Sequence, residues 1–266
     1  MKLDLSGVEK TLLVPLWGRA KLSRENPSIL NDTKATELVE QLDYDFSRFD
    51  KTLGILGNLM FAAIAKHVDE KTRAYIAEHP KASVIDLGAG LDTTYYRVDN
   101  GSIHWYDLDL PAAIDLRRRL IPEAARSTSI AKSLLDTSWF DDITDTANGV
   151  FMIAAGVLIF FQESDIKSFF SSLADSLPGM EIVFNTQSTF AKLRSNWGMR
   201  RMGMKTTKWA MKDARTITKW DNRIKVLDQL PLFKNIPRNP AWGSSVKRLM
   251  NLSDSNGMMN VVHLRV

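Results

Sequence analysis

Apolar positions in the first 80 residues recur at helical spacing, and the pattern predicts helices near 9–24, 33–43 and 56–78. In "VDEKTRAYIAEHP", Val68, Thr72, Tyr75 and Ile76 share one helical face, and Pro80 ends the run because it cannot continue a helix. After Pro80 the pattern changes to strands alternating with helices. "ASVIDLG", "SIHWYDLD", "TSIAKSLLD" and "MEIVFNTQS" read as strands, and "GVFMIAAGVLIFF", the most apolar run, reads as a central parallel strand covered on both faces. "PAAIDLRRRLI" opens a helix on proline, where the missing N–H is harmless. "ESDIKSFFSSLADSL" sets Ile166, Phe169, Phe170, Leu173 and Leu177 on one helical face. At the end "IKVLDQL" and "MMNVVHLRV" are strand-like, with no clear helix expected between them.

This alternation predicts a doubly wound α/β sheet whose ligand sits beyond the carboxyl ends of the strands. A closing antiparallel pair suits a seven-stranded sheet better than an all-parallel dinucleotide fold. No repeat or linker divides the chain, so 1–266 is expected to be one domain. It comprises a helical cap (1–80), a ligand-binding core (81–190), an insertion after the fifth strand (191–222) and terminal strands (223–266).

Composition adds exclusions. Hydrophobic residues are 44% and charged residues 25% of 266, the balance of a soluble globular protein. Cysteine is absent, which removes disulfides, thiolate nucleophiles and cysteine-based metal sites. No ligand set at zinc or two-histidine spacing is present, so no metal is expected. "MKLDLSGVEK" lacks the apolar core of a secretory signal, and the longest apolar run is well short of the about 20 residues that span a bilayer. A cytoplasmic protein with no membrane partner is the expectation. The net charge of +4 is modest, but Lys192, Arg194, Arg200, Arg201, Lys205, Lys208 and Lys212 lie between Phe190 and Lys212 without one acidic residue. That segment reads either as a basic, methionine-rich lid guiding an anionic acceptor or as a solvated helix packing Trp197, Met204 and Trp209 on the sheet. No nucleic-acid recognition motif accompanies it, and nucleic acid is not expected.

The candidate chemistry lies in "VIDLGAGLDTTYYRVDN". Gly88 and Gly90 are present, but Thr93 stands where a dinucleotide fingerprint needs its third glycine. With Asp86 ahead, the loop reads D-x-G-x-G, a pattern able to hold a methionine tail and a ribose without cradling a pyrophosphate. Its glycines would let the backbone approach a ligand closely. A ribose diol calls for a carboxylate at the end of the second strand, and Asp107 and Asp109 lie 19 and 21 positions after Gly88. Two apart on a strand, they share a face; Asp109 is preferred, and either could instead cap the helix at Pro111.

"SVIDLGAGLDTTYYRVDN", "IHWYDLDLPAAIDLRRRLI", "IAKSLLDTSW" and "AAGVLIFF", in this order, resemble the leucine carboxyl methyltransferase family, most closely its bacterial branch of polyketide O-methyltransferases. "KTLLVPLWGRAKLSRENPSILND" and "ELVEQLDYDFSRFD" extend the resemblance from about residue 9 to 190. It implies a Rossmann-like methyltransferase sheet with an N-terminal helical extension and a helical insertion after the fifth strand. It also implies S-adenosylmethionine as cofactor and methylation of a carboxylate or hydroxyl oxygen on a small anionic or phenolic acceptor. By the same resemblance Gly88, Gly90 and Asp92 line the methionine end, Asp109 holds the ribose, and Ser133 with Leu134 border the adenine. The full candidate set adds Asp86, Ala89, Asp107, Leu110 and Ala155.

The chain departs from the family at three polar positions. Ile64 stands where an arginine for the cofactor carboxylate is usual, and Ala155 and Phe160 replace the glutamate and tyrosine of the family's fourth-strand motif. Lys66 or Arg97 could substitute for the arginine, although Arg97 reads equally as a structural salt-bridge partner. The alternative function is a non-catalytic relative with altered or lost cofactor binding; a nicotinamide oxidoreductase is disfavoured by the missing glycine and the absence of a Tyr-x-x-x-Lys pair. Of His67, His79, His104 and His263, only His67 is a weak candidate base. The lack of an evident base favours a carboxylate acceptor, already ionised at neutral pH.

Overall fold

The computed structural model describes residues 8–201 and 204–266. Residues 1–7, the head of the helical cap, and 202–203, inside the insertion, lie outside the described residues.

Seven strands form one sheet in the order β3-β2-β1-β4-β5-β7-β6. They are β1 (Ser83–Leu87), β2 (His104–Asp109), β3 (Ser127–Ala131), β4 (Val150–Ala154), β5 (Glu181–Gln187), β6 (Lys225–Pro231) and β7 (Met259–Arg265). The first five are parallel, and β7 runs antiparallel between β5 and β6. The strand order reverses between β1 and β4, the place where an open α/β sheet leaves a crevice at its carboxyl ends.

Side chains alternate across the sheet as the period of two requires. Ile85, Leu87, Met152, Ile182 and Phe184 join one core with Phe169, Phe170 and Leu173 of α6 (Glu163–Ser176). Val84, Phe151, Ile153 and Val183 join the other with Ala62, Val68, Tyr75 and Ile76 of α3 (Ser47–Glu78). A third cluster buries Leu13, Leu16 and Ala20 of α1 (Val8–Glu25) against Ala35 and Leu38 of α2 (Thr33–Gln41) and Leu116 of α5 (Pro111–Leu120). The short α4 (Thr94–Val98) follows the glycine loop. Gly54, at φ 56° and ψ −167°, breaks α3, so the continuous part matches the predicted 56–78.

Three expectations need correction. The tail between β6 and β7 holds α8 (Ser244–Ser255), whose buried Met250 packs in the α3 core; its Val246, Leu249 and Met250 do stand at helical spacing, but among Pro, Gly, Ser and Asn residues that read as loop. Only Val150–Ala154 of "GVFMIAAGVLIFF" is strand, because Gly156 at φ 76° turns the chain into a 3-10 turn over Leu158–Phe160. The insertion starts early, with α7 (Thr189–Arg201) directly after β5, and only its first part is an α-helix. Beyond it an extended strap is sewn to the sheet: Met211 N–H donates to Gln187 O at 2.8 Å and Trp209 N–H to Ile159 O at 3.1 Å.

Candidate active site

The loop after β1 is held by its neighbours before any ligand is considered. The Gly88 and Ala89 amides both donate to Leu108 O, at 2.7 and 3.2 Å, and Asp92 N–H closes a turn on Ala89 O at 2.7 Å. Gly88 and Gly90 have φ of +69° and +45°, where L side chains are strained. A Cβ on Gly88 would sit 2.6 Å from Val157 Cγ2, and one on Gly90 2.9 Å from Leu12 Cδ2. The glycines therefore already serve the chain's own packing, of the β4 exit and of α1 against the turn.

The four acidic residues of this region have distinct surroundings. Asp109, half-buried at the end of β2, accepts Gly90 N–H on one oxygen at 2.8 Å and Leu110 N–H on the other at 2.7 Å. Burial pushes its carboxyl up, against those two donors. Asp107 is fully enclosed: its Oδ1 accepts Trp105 Nε1 and pairs with Arg117, each at 2.9 Å. Asp92 accepts Thr94 N–H at 2.6 Å; burial raises its carboxyl, but Arg19 and Arg97 outweigh that and hold it below its usual value. Asp86 is only 2% exposed, and its Oδ2 has no hydrogen-bond partner. Burial, reinforced by Asp92 and Asp107, holds its carboxyl well above the ordinary range. A buried acceptor without a donor is costly, and a ligand ammonium placed on it would remove that cost.

Arginines complete the frame. Arg97 forks onto Asp69, with Nε at 2.8 Å and Nη2 at 2.9 Å from its oxygens, pairs with Asp32 at 2.7 Å and donates to Thr93 and Thr94. Every nitrogen is used, so Arg97 ties α3, α2 and α4 together. Lys66 pairs with Glu70 one helical turn on at 3.0 Å, and Ile64 is buried in the α3 core. Two arginines that the sequence reading passed over reach the loop. Arg117 of α5 donates to Gly90 O at 3.2 Å and Asp92 O at 2.7 Å while paired with Asp107, which fixes the turn from below. Arg19 of α1, 5% exposed, donates from Nε to Asp32 and from Nη2 to Leu91 O, whereas its Nη1 has only a long 3.8 Å approach to Asp92. Arg19 was missed because the cation was sought just before β1; the polar "GRAK" inside an apolar helix was the available signal.

The remaining candidates line the same end of the sheet. Leu110 is exposed where α5 begins. Ser133 and Leu134 follow β3, the Ser133 hydroxyl accepting Leu135 N–H and Leu134 O accepting Trp139 Nε1 at 3.1 Å. Ala155 follows β4, and the next amide, Gly156 N–H, donates to Asn185 Oδ1 on β5 at 2.6 Å. The histidines lie elsewhere. His67 is 1% exposed and bonds Leu232 O through Nε2 at 2.9 Å; burial lowers its pKa. His79 ends α3, His104 starts β2, and His263 on β7 faces Glu181 at 2.7 Å. Asp86, Gly88–Asp92, Asp109, Ser133 and Ala155 thus converge on the carboxyl ends of β1 to β4, and His67 does not join them.

The family model described as leucine carboxyl methyltransferase matches residues 13–174. The chain is 32% identical over 182 residues to the tetracenomycin polyketide synthesis O-methyltransferase TcmP of Streptomyces glaucescens, a match covering 68% of this chain and 66% of that protein, a little under two thirds of its length. It is 24% identical over 275 residues to the S-adenosyl-L-methionine-dependent methyltransferase dpfgK of Gibberella zeae, covering 95% and 92% of the two. Among solved structures, a candidate methyltransferase from Thermobifida fusca superposes with a TM-score of 0.61 at 13% identity, over 84% of this chain and 88% of that one; this likeness concerns the fold.

Proposed function

The chain belongs to the leucine carboxyl methyltransferase family, and from that membership we propose an S-adenosylmethionine-dependent O-methyltransferase acting on a carboxylate or phenolic hydroxyl of a small molecule. The observation that carries this reading is the buried, unpartnered Asp86 Oδ2 beneath a glycine turn at the sheet's switch point.

The residues fit the cofactor. Asp86 would hold its amino group, and Asp109, already oriented by Gly90 N–H, would accept the ribose hydroxyls. Arg19 would take the carboxylate in place of the family arginine replaced by Ile64. Ser133, Leu134 and Leu110 would border the base. The cofactor supplies an electrophilic methyl group on a sulfonium. The chain's part is to place the acceptor oxygen in line with it and to exclude water, which can provide most of the rate. With the four histidines away from the carboxyl ends of the parallel strands, an acceptor that ionises on its own suits the site. The basic strap that follows α7, with Lys205, Lys208 and Lys212, favours an anion there.

Calorimetric titration of the protein with S-adenosylmethionine and with S-adenosylhomocysteine tests the reading. Micromolar binding that Asp109→Ala abolishes is expected. No binding of either ligand at millimolar concentration would overturn it and favour a non-catalytic relative.

A further inference from the structure

Helix α7 presents a large apolar face to solvent. Phe190, Leu193 and Trp197 fall at i, i+3 and i+7, one face of a helix, and are 60%, 65% and 65% exposed. The opposite face is the docked one. Lys192 Nζ donates to Lys208 O at 3.1 Å, Ser195 Oγ to Gln187 Oε1 at 3.4 Å, and Asn196 bonds Thr207 in both directions at 2.8 and 2.9 Å. The apolar stripe therefore points away from the protein's own core. Arg194 and Arg200 flank it, Lys205 and Lys208 extend the charge along the strap, and all four are exposed.

Three bulky apolar groups with a tryptophan among them, rimmed by cations and free of carboxylates from Phe190 to Lys212, give α7 an exposed surface complementary to the boundary of an anionic lipid layer. A second copy of the chain would bring like charges together. The stripe is a convex ridge, which a deformable headgroup layer can accept without a preformed groove. We propose that α7 adsorbs the protein to an anionic lipid surface, with Phe190, Leu193 and Trp197 entering the headgroup boundary and Arg194 and Arg200 pairing with lipid phosphates. Among the described residues no helix is long and apolar enough to cross a membrane, so the attachment is peripheral. It stands apart from methyl transfer, since none of these side chains belongs to the glycine-loop site.

The test is co-sedimentation of the full-length protein with phosphatidylcholine vesicles, with and without phosphatidylglycerol. Binding at least roughly tenfold tighter to the anionic vesicles, weakened by salt, is expected. The variant carrying Phe190→Ser, Leu193→Ser and Trp197→Ser should lose it, as should Arg194→Glu with Arg200→Glu, both with unchanged thermal unfolding and cofactor titration. Equal affinity for neutral and anionic vesicles, binding unaffected by the triple variant, or retention on polyglutamate without vesicle binding would each overturn the proposal.

Discussion

Asp109 Oδ2 accepts the Gly90 amide at 2.8 Å, so the acidic end of β2 is bonded directly to the glycine turn that ends β1. One side chain sets the shape of the loop and presents a carboxylate beside it.

Asp109→Asn keeps one oxygen for either Gly90 N–H or Leu110 N–H, sets an NH2 against the other, and loses the charge. A hydrogen bond to a charged group contributes about 1.5–3 kcal/mol, so S-adenosylhomocysteine should bind at least roughly tenfold more weakly by calorimetry. Denaturant unfolding should show a loss of about 1–3 kcal/mol, because one of the two N–H groups loses its acceptor. Unchanged affinity would remove Asp109 from the ribose site.

Gly88→Ala places a Cβ at positive φ and 2.6 Å from Val157. Overpacking with backbone strain should destabilise the protein by about 1–3 kcal/mol. Adding Val157→Ala should recover only the steric part, leaving a residual loss from φ, which denaturant unfolding would resolve.

Asp86 carries a sign that can be checked. Its carboxyl titrates near 3.8 when unfolded and well above that when folded, so between those values the folded state binds the extra proton. Its contribution to stability is present below the unfolded pKa and is lost as pH rises through the folded one. Asp86→Asn should raise the melting temperature of the ligand-free protein at pH 7–8, flatten this part of the pH dependence relative to wild type, and weaken cofactor binding. A fall in stability at neutral pH would show that the orphaned oxygen has a partner.

Arg19 and Arg97 separate by ligand. Arg19→Lys keeps the charge and loses the fork, so S-adenosylhomocysteine should weaken roughly tenfold while methylthioadenosine, which lacks the carboxylate, binds as before. Arg97→Leu leaves Asp69 without its forked partner in the interior, while Asp32 keeps Arg19, and should cost about 3–5 kcal/mol in stability. Equal losses for both ligands in Arg19→Lys would assign Arg19 to the frame alone.

His67→Ala should lower stability, because Leu232 O loses its donor, without changing the shape of the kcat pH profile for methyl transfer. Disappearance of a pKa from that profile would restore His67 as a base.

The local pattern settled a good deal. The period-two runs and the prolines at 80 and 111 located the strands and two helix boundaries, and the D-x-G-x-G turn with "YDLDLP" pointed to the loop where Asp86 and Asp109 now lie. These features are legible because periodicity and turn chemistry act between near neighbours in the chain. Helix α8 escaped because its spaced apolar positions stand among Pro, Gly, Ser and Asn residues that read as loop, and β4 ended early because Gly156 outweighed the apolar run. Asp107 and Asp109 were equivalent by spacing; the Arg117 and Trp105 contacts made one a strut and left the other at the loop. The same holds for the arginines. Arg97, close to the glycines in sequence, is used up by Asp69 and Asp32, while Arg19 reaches Leu91 O across 72 positions. Sequence alone determined most of the elements and where the loop lies. Only the tertiary structure decided which charged groups remain available there, because a side chain's availability depends on partners brought to it by distant segments of the chain.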